Sequence, residues 1–169
     1  MIIIRNATIS DAELLAAVGA ETFYDSYAAN NTPEDMAVYL SQSFGRDIQG
    51  AELADADSIF IIAEYNGGII GYAQLKMSDA PPIGADKPLE IARLYVSKAW
   101  LGKKIGARLM AACLHEADVL GSDALWLGVW EMNLRAIKFY RQWGFGVVGE
   151  QEFQLGGDLQ KDLVMARNL

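Results

Sequence analysis

The run Trp100-Leu101-Gly102-Lys103-Lys104-Ile105-Gly106-Ala107 carries the strongest chemical signal in the sequence. It stands where a strand pattern ends and a helical pattern begins, and the first turn of a helix leaves backbone N–H groups without intrahelical acceptors. Those amides and the helix dipole attract anions. Gly102 and Gly106 let a ligand approach the backbone, while Lys98, Lys103, Lys104 and Arg108 concentrate positive charge on a chain whose formal net charge is -8. A solvated cationic face beside an ordinary strand-to-helix turn has the same composition, so the run alone leaves both readings open. Its spacing fits neither the G-x-x-x-x-G-K-[ST] phosphate loop nor the three-glycine dinucleotide fingerprint.

Other reactive residue types are sparse. His115, the sole histidine, falls mid-helix well past the anion-binding end and reads as structural or solvent-facing. Cys113, the only cysteine, sits among Leu109, Met110 and Leu114 and reads as a small core residue, so no disulfide is expected. No grouping of His, Cys and carboxylates has metal-ligand spacing, and no metal is expected. The acidic balance, with no basic block, argues against a nucleic-acid partner and favours cationic ones. Met1-Ile2-Ile3-Ile4-Arg5 is too short for a membrane span and has no basic leader, which makes the cytoplasm the expected compartment.

Positioning that turn requires a framework, and 169 residues with 52% hydrophobic content suffice for one core, giving a single domain over residues 1–169. A β-branched opening strand at 2–4 leads to a helix for which Ser10 is the candidate cap and Leu14, Leu15, Val18 and Phe23 the candidate buried face. Tyr24-Asp25-Ser26-Tyr27 reads as a connector to a second helix capped by Thr32 with Pro33 in its first turn. After a short helix around 48–56, Asn66-Gly67-Gly68 joins two apolar runs into a β-hairpin. Residues 89–96, 104–120 and 124–130 then form a strand, a helix and a strand, a β-α-β crossover. A helix at 133–143 and two strands at 145–153 and 159–165 complete a mixed α/β (α+β) pattern. The closing strands offer an edge for a homodimer.

Leu89-Glu90-Ile91-Ala92-Arg93-Leu94-Tyr95-Val96 with the glycine turn that follows resembles the acetyl-CoA-binding motif of the GNAT N-acetyltransferase superfamily. Asn133-Leu134-Arg135-Ala136-Ile137-Lys138-Phe139-Tyr140 and Trp143-Gly144-Phe145 resemble its second motif, N-x-x-A-x-x-F-Y with G-F beyond. Glu21-Thr22-Phe23, the stretch 126–131 and the stretch 162–166 are similar to the bacterial PaiA-type polyamine acetyltransferases. One departure concerns the turn, usually Q/R-x-x-G-x-G/A: Leu101 takes its first position and Lys104 its first glycine, leaving Gly106 as the match. Lys104 is expected to take helical dihedrals and to offer its side chain to a phosphate.

The resemblance implies a GNAT acyl-CoA N-acyltransferase fold with about seven strands flanked by helices, splayed between the two strands of the crossover. It implies acetyl-CoA as cofactor, bound by Leu94, Tyr95 and Val96, by the turn Leu101, Gly102, Lys103, Lys104, Ile105, Gly106 and Ala107, and by Asn133, Ala136 and Tyr140. The pantetheine would pair with the free strand edge, and a backbone N–H near Val96 would face the acyl oxygen. Direct transfer needs a neutral amine and a proton for the leaving thiolate. Tyr140 is the implied general acid and Glu90 the implied base; a core aromatic and a solvated strand-edge carboxylate are the alternatives. Tyr24, Tyr27 and Glu131 are candidates for binding the acceptor, a small primary amine with polyamines favoured. Peptide N-termini, amino acids or antibiotics as acceptors, and a non-catalytic acyl-CoA-binding module, remain as alternatives.

Overall fold

The computed structural model describes residues 1–169. The first strand, β1 (Ile2–Asn6), is followed by three helices, α1 (Ala12–Tyr27), α2 (Pro33–Ser43) and α3 (Arg46–Ala54). Strands β2 (Ser58–Tyr65), β3 (Gly68–Lys76) and β4 (Pro88–Val96) then form an antiparallel meander. Helix α4 (Ile105–Leu120) crosses over to β5 (Ala124–Trp130), and α5 (Leu134–Gln142) leads to the closing hairpin of β6 (Gly146–Leu155) and β7 (Asp158–Asn168). All seven strands join one mixed sheet in the order β1-β2-β3-β4-β5-β7-β6, leaving β6 as an edge.

Alternation along the strands decides what each face holds. Leu125, Leu127 and Val129 of β5 pack with Leu109, Met110 and Cys113 of α4 in the main core, which also takes Ile137 and Tyr140 of α5. The intervening positions Trp126, Gly128 and Trp130 therefore face the side of α1. There a second cluster joins Leu15 and Val18 of α1 to Phe60, Ile62 and Tyr72 of the sheet. A third, of Phe23, Met36, Phe44 and Leu155, ties α1 and α2 to β6.

Four local expectations need correction. Ser10 does not cap α1: a 3-10 turn (Ile9–Asp11) intervenes, and Asp11 Oδ2 accepts from the Thr8 N–H at 2.7 Å while Arg5 donates twice to Asp11 at 2.9 Å. Leu14 is exposed rather than part of the buried face. Tyr24 to Tyr27 are the last turn of α1, not a connector, because an aromatic cluster of Phe23, Tyr27 and Tyr39 holds that turn in place. Lys104 has φ 62° and ψ 15°, left-handed instead of helical. That conformation normally favours glycine, since a Cβ there crowds the following carbonyl.

The expected caps elsewhere form. Thr32 Oγ1 accepts from the Asp35 N–H at 3.1 Å with Pro33 at the helix start. Asn66 and Gly67 both have positive φ, as a two-residue hairpin turn requires.

Candidate active site

Strands β4 and β5 run parallel but pair over only three positions, Pro88 with Ala124, Leu89 with Leu125 and Glu90 with Trp126. Beyond Glu90 no residue of β5 opposes β4. On its other side β4 stays paired with β3, and the register shifts there because Gln74 opposes Arg93 while Leu75 opposes Ile91. Ala92 is the extra residue of a β-bulge, which bends and twists its strand. The bulge turns β4 away from β5 where pairing stops, and the sheet splays into a wedge with an unpaired backbone edge.

A cleft of about 960 Å³ runs through this wedge. From β4 it is lined by Glu90, Leu94, Tyr95 and Val96, and from the turn and α4 by Leu101, Gly102, Lys104, Ile105, Gly106 and Ala107. The N–H groups of Gly102, Lys104, Ile105, Gly106 and Ala107 make no hydrogen bond to backbone or side chain, so five donors converge at one end. Gly102 (φ 76°) faces open space, and the Phe139 ring lies within van der Waals contact, 3.6 Å, of where a Cβ on Gly106 would stand. Lys103 lies outside the cleft lining; its ammonium sits 4.7 Å from the Trp100 ring centroid, which draws it aside.

Helix α5 supplies Asn133, Ala136 and Tyr140. Asn133 has two partners: its Oδ1 accepts from the Ala136 N–H at 3.2 Å, capping α5, and its Nδ2 donates to the Tyr27 hydroxyl at 3.3 Å. Tyr140 is buried against the α4 core, and its hydroxyl has no hydrogen-bond partner in the protein. Burial pushes its pKa well up, with the neighbouring Tyr27 and Cys113 adding to the shift, so the phenol stays protonated across neutral pH.

Glu90 stands at the apex, opposite Trp126 and therefore on the α1 face, and accepts from the Ser78 hydroxyl at 2.5 Å. The α1 face of the cleft continues over Tyr27 and Tyr39 to the β6–β7 hairpin. That hairpin is pinned to the helices by Gly157 N–H donating to Asp35 at 2.6 Å and Gln160 to Asn31 at 2.6 Å. Tyr24 and Glu131 lie outside the cleft: Tyr24 projects into solvent from the far side of α1, and Glu131 pairs with Lys161 at 3.6 Å. His115 is exposed, Cys113 is buried with its thiol pKa pushed up to about 12, and no group of His, Cys, Asp or Glu is arranged for a metal.

Asp162 of β7 lines the cleft and was not among the residues the sequence singled out. It is 8% exposed and has no hydrogen-bond or salt-bridge partner; burial raises its pKa from the ordinary 3.8 to about 6. The sequence holds two hints of it: the stretch 162–166 that opens on Asp162, and the alternating pattern of 159–165, which puts this charged residue at an inward position. Arg93, also in the cleft wall, is already engaged by Glu52 at 2.8 Å and lies 5.0 Å from the Phe44 ring centroid.

The wedge, the free strand edge and the amide cradle form a site for a long ligand with an anionic end. Residues 20–145 match the acetyltransferase (GNAT) family model. The chain belongs to the GNAT acetyltransferase family. An uncharacterised N-acetyltransferase of Lactobacillus delbrueckii subsp. lactis is 34% identical over 154 residues, 90% of this chain and 89% of that protein. Streptothricin acetyltransferase of Streptomyces lavendulae is 31% identical over 74% of this chain and 66% of its own length. The spermine/spermidine N(1)-acetyltransferase of Bacillus subtilis is 26% identical over 53% of this chain and 60% of its own length. Among solved structures, the PaiA N-acetyltransferase of Thermoplasma acidophilum in complex with coenzyme A superposes with a TM-score of 0.85 at 23% identity, covering 100% of this chain and 99% of that one. This GNAT chain is thus an acetyltransferase that uses acetyl-CoA, and its amide cradle and unpaired β4 edge fit that cofactor. No helix is long and apolar enough to cross a membrane.

Proposed function

We propose that this GNAT enzyme, as a single domain over residues 1–169, transfers an acetyl group from acetyl-CoA directly to a small primary amine, with polyamines the favoured acceptors. The observation that carries the reading is a cleft open on both faces of the sheet. One face holds the free α4 amides and Tyr140; the other holds Glu90, Tyr27 and Asp162. A donor and an acceptor approaching from opposite faces meet in the wedge without passing each other.

Acetyl-CoA supplies an activated acyl group on a thioester. The cradle of Gly102, Lys104, Ile105, Gly106 and Ala107 N–H groups, helped by Lys98 and Lys104, holds the pyrophosphate. Leu94, Tyr95 and Val96 present the unpaired backbone that orients the pantetheine, and Ala136 leaves room for it beside α5. On the acceptor face Glu90 removes a proton from the ammonium, directly or through water, so that nitrogen has a free lone pair. A C–N bond forms, the C–S bond breaks and Tyr140 gives its proton to the departing sulfur; the nitrogen sheds a second proton as the amide forms, which restores the phenol, and Glu90 passes the first to solvent. The phenol suits that duty because burial keeps it protonated across neutral pH.

Polyamine preference draws support from the spermine/spermidine and PaiA likenesses and from the acidic surface; the streptothricin enzyme supports an antibiotic acceptor as the second reading. The test measures CoA release with spermidine, spermine, amino acids, an N-terminal peptide and streptothricin. Failure of either polyamine to accelerate release rejects the polyamine assignment. Tyr140→Phe should lower kcat by roughly 10²-fold or more with CoA affinity within twofold. An unchanged kcat removes Tyr140 from the chemistry, and no release with any amine leaves an acyl-CoA-binding module.

A further inference from the structure

We infer that Asp162 anchors a second, non-reacting ammonium of the acceptor, so that the enzyme selects amines carrying two positive charges over those carrying one. This deepens the amine-transferase reading and rests on it.

Three features of the acceptor face support the assignment. Asp162 is nine-tenths buried yet faces the cleft, and no protein group hydrogen-bonds or pairs with its carboxylate. Uncompensated buried charge is expensive and is found where a partner arrives from outside. No cation of the chain pairs with it. Lys161 beside it points to the other face of the hairpin, where it pairs with Glu150 at 3.2 Å and Glu131 at 3.6 Å, and Arg93 is held by Glu52.

The surroundings of Asp162 are aromatic. Trp130 is its pairing neighbour on β5, Tyr27 of α1 meets Trp130 edge-on at 5.9 Å, and Tyr39 of α2 meets Phe153 of β6 at 5.5 Å. Burial is the main cause of the raised pKa of Tyr27 and of Tyr39, and the negative charge of Asp162 adds to both, which places the two phenols within its field. The remaining neighbours, Gln151 of β6 and Gln160 of β7, are uncharged. A carboxylate among aromatic rings is the combination that holds an ammonium or a quaternary nitrogen.

Access depends on a missing side chain. Gly128 lies on the same face of β5, and a Cβ there would stand 3.2 Å from Asp162 Oδ2 and would run into the Gln151 amide. With glycine at that position the carboxylate stays open to the wedge.

Asp162 is not placed to touch the reacting atoms. It pairs with Trp130 at the mouth of the wedge, whereas Glu90 pairs with Trp126 at the apex. Those levels are four residues of β5 apart, about 13 Å of strand, but the Asp162 carboxylate leans back to the level of Gly128, two residues nearer Trp126, which brings the gap within reach of a six-carbon diamine. A flexible diamine can therefore put one nitrogen by Asp162 while the other reaches toward Glu90. A monoamine can satisfy only one of the two positions.

The test is calorimetry on CoA-loaded protein with 1,6-diaminohexane, hexylamine and 6-aminohexanoate, which share a carbon chain and differ in the second charge. Wild type should bind the diamine at least 10-fold tighter than hexylamine and should bind 6-aminohexanoate weakest. Asp162→Asn should bring the diamine to the hexylamine level and leave hexylamine and CoA affinities unchanged. Gly128→Ala, which retains the carboxylate but covers it, should do the same to a lesser degree and serves if Asp162→Asn is poorly folded. Equal binding of diamine and hexylamine by wild type, or undiminished diamine binding by both variants, overturns the anchor. Transfer is read separately as CoA release. Release with hexylamine, together with no effect of Asp162→Asn on diamine binding, sinks the anchor and leaves the transferase. A charge preference in binding with no release from any amine does the reverse.

Discussion

An unpaired buried carboxylate should leave a signature in the stability of the free enzyme. Asp162 titrates near 6 in the folded chain against 3.8 ordinarily, because burial disfavours its charged form. The folded state thus binds the proton more tightly than the unfolded state does. Stability from this group is full below pH 4 and is lost as pH rises through 6. At pH 7.5, with the side chain charged in both states, the loss is about 3 kcal/mol for a shift of roughly two pKa units. At pH 5 the same relation leaves a loss of about 1.6 kcal/mol, so acidification from 7.5 to 5 should return about 1.4 kcal/mol. Asp162→Asn removes the titration. Its uncharged amide is also buried without a partner, so absolute stabilities of the two proteins need not differ by the whole amount. The slope against pH is the clean observable, because Asp11 and the surface groups titrate alike in both. Urea unfolding at pH 7.5, 6.5, 5.5 and 5.0 should show wild type gaining about 1.4 kcal/mol relative to the variant, or about 3–6 °C in Tm. Parallel stability curves for the two proteins over that range would refute the reasoning, since they would mean that the carboxylate is solvated or paired in the folded enzyme.

Lys104→Gly should relieve the left-handed strain at φ 62°, about 1 kcal/mol, against about 0.5 kcal/mol of added unfolded-chain entropy. The expected outcome is a Tm unchanged or raised by one to two degrees, with Lys104→Ala showing no such benefit; loss of 1 kcal/mol or more in Lys104→Gly contradicts the conformational argument. Gly71→Ala puts a Cβ 2.7 Å from the Tyr95 carbonyl oxygen and 3.3 Å from the Val96 Cα, both backbone atoms that cannot step aside. It should destabilise the protein by about 1–3 kcal/mol and weaken CoA binding by displacing the free edge of β4, as thermal melts and CoA calorimetry would show. Intact CoA affinity in that variant would argue that the β4 edge is not the cofactor's seat.

The sequence by itself determined the local elements, among them the turn and the helix that line the α4 side of the cleft. Asn66-Gly67 dictated a tight hairpin, Thr32-Pro33 a helix start, and alternation along 124–130 a strand with one core face. The two motifs around Gly106 and Asn133 marked the turn and the helix that line the α4 side of the cleft, because helix ends, caps and glycine turns depend on neighbours a few residues away. Lys104 is the exception: its residue type argued for helical dihedrals, and the joint between strand and helix imposed left-handed ones. Tyr24 likewise carried the right chemistry on the wrong side of α1, which no local pattern reveals. On the α1 side of the cleft the sequence named Glu90 and Tyr27, but their company there became visible only in the folded chain. Asp162, Trp130, Tyr27 and Tyr39 come from four separate elements, and nothing in their spacing links them. Pairing of β7 with β5, the bulge at Ala92 and docking of the β6–β7 hairpin on α1 and α2 bring them together. Whether a carboxylate is a solvated surface charge or a buried unpaired one depends on what packs around it, and that is set by contacts between residues distant in sequence.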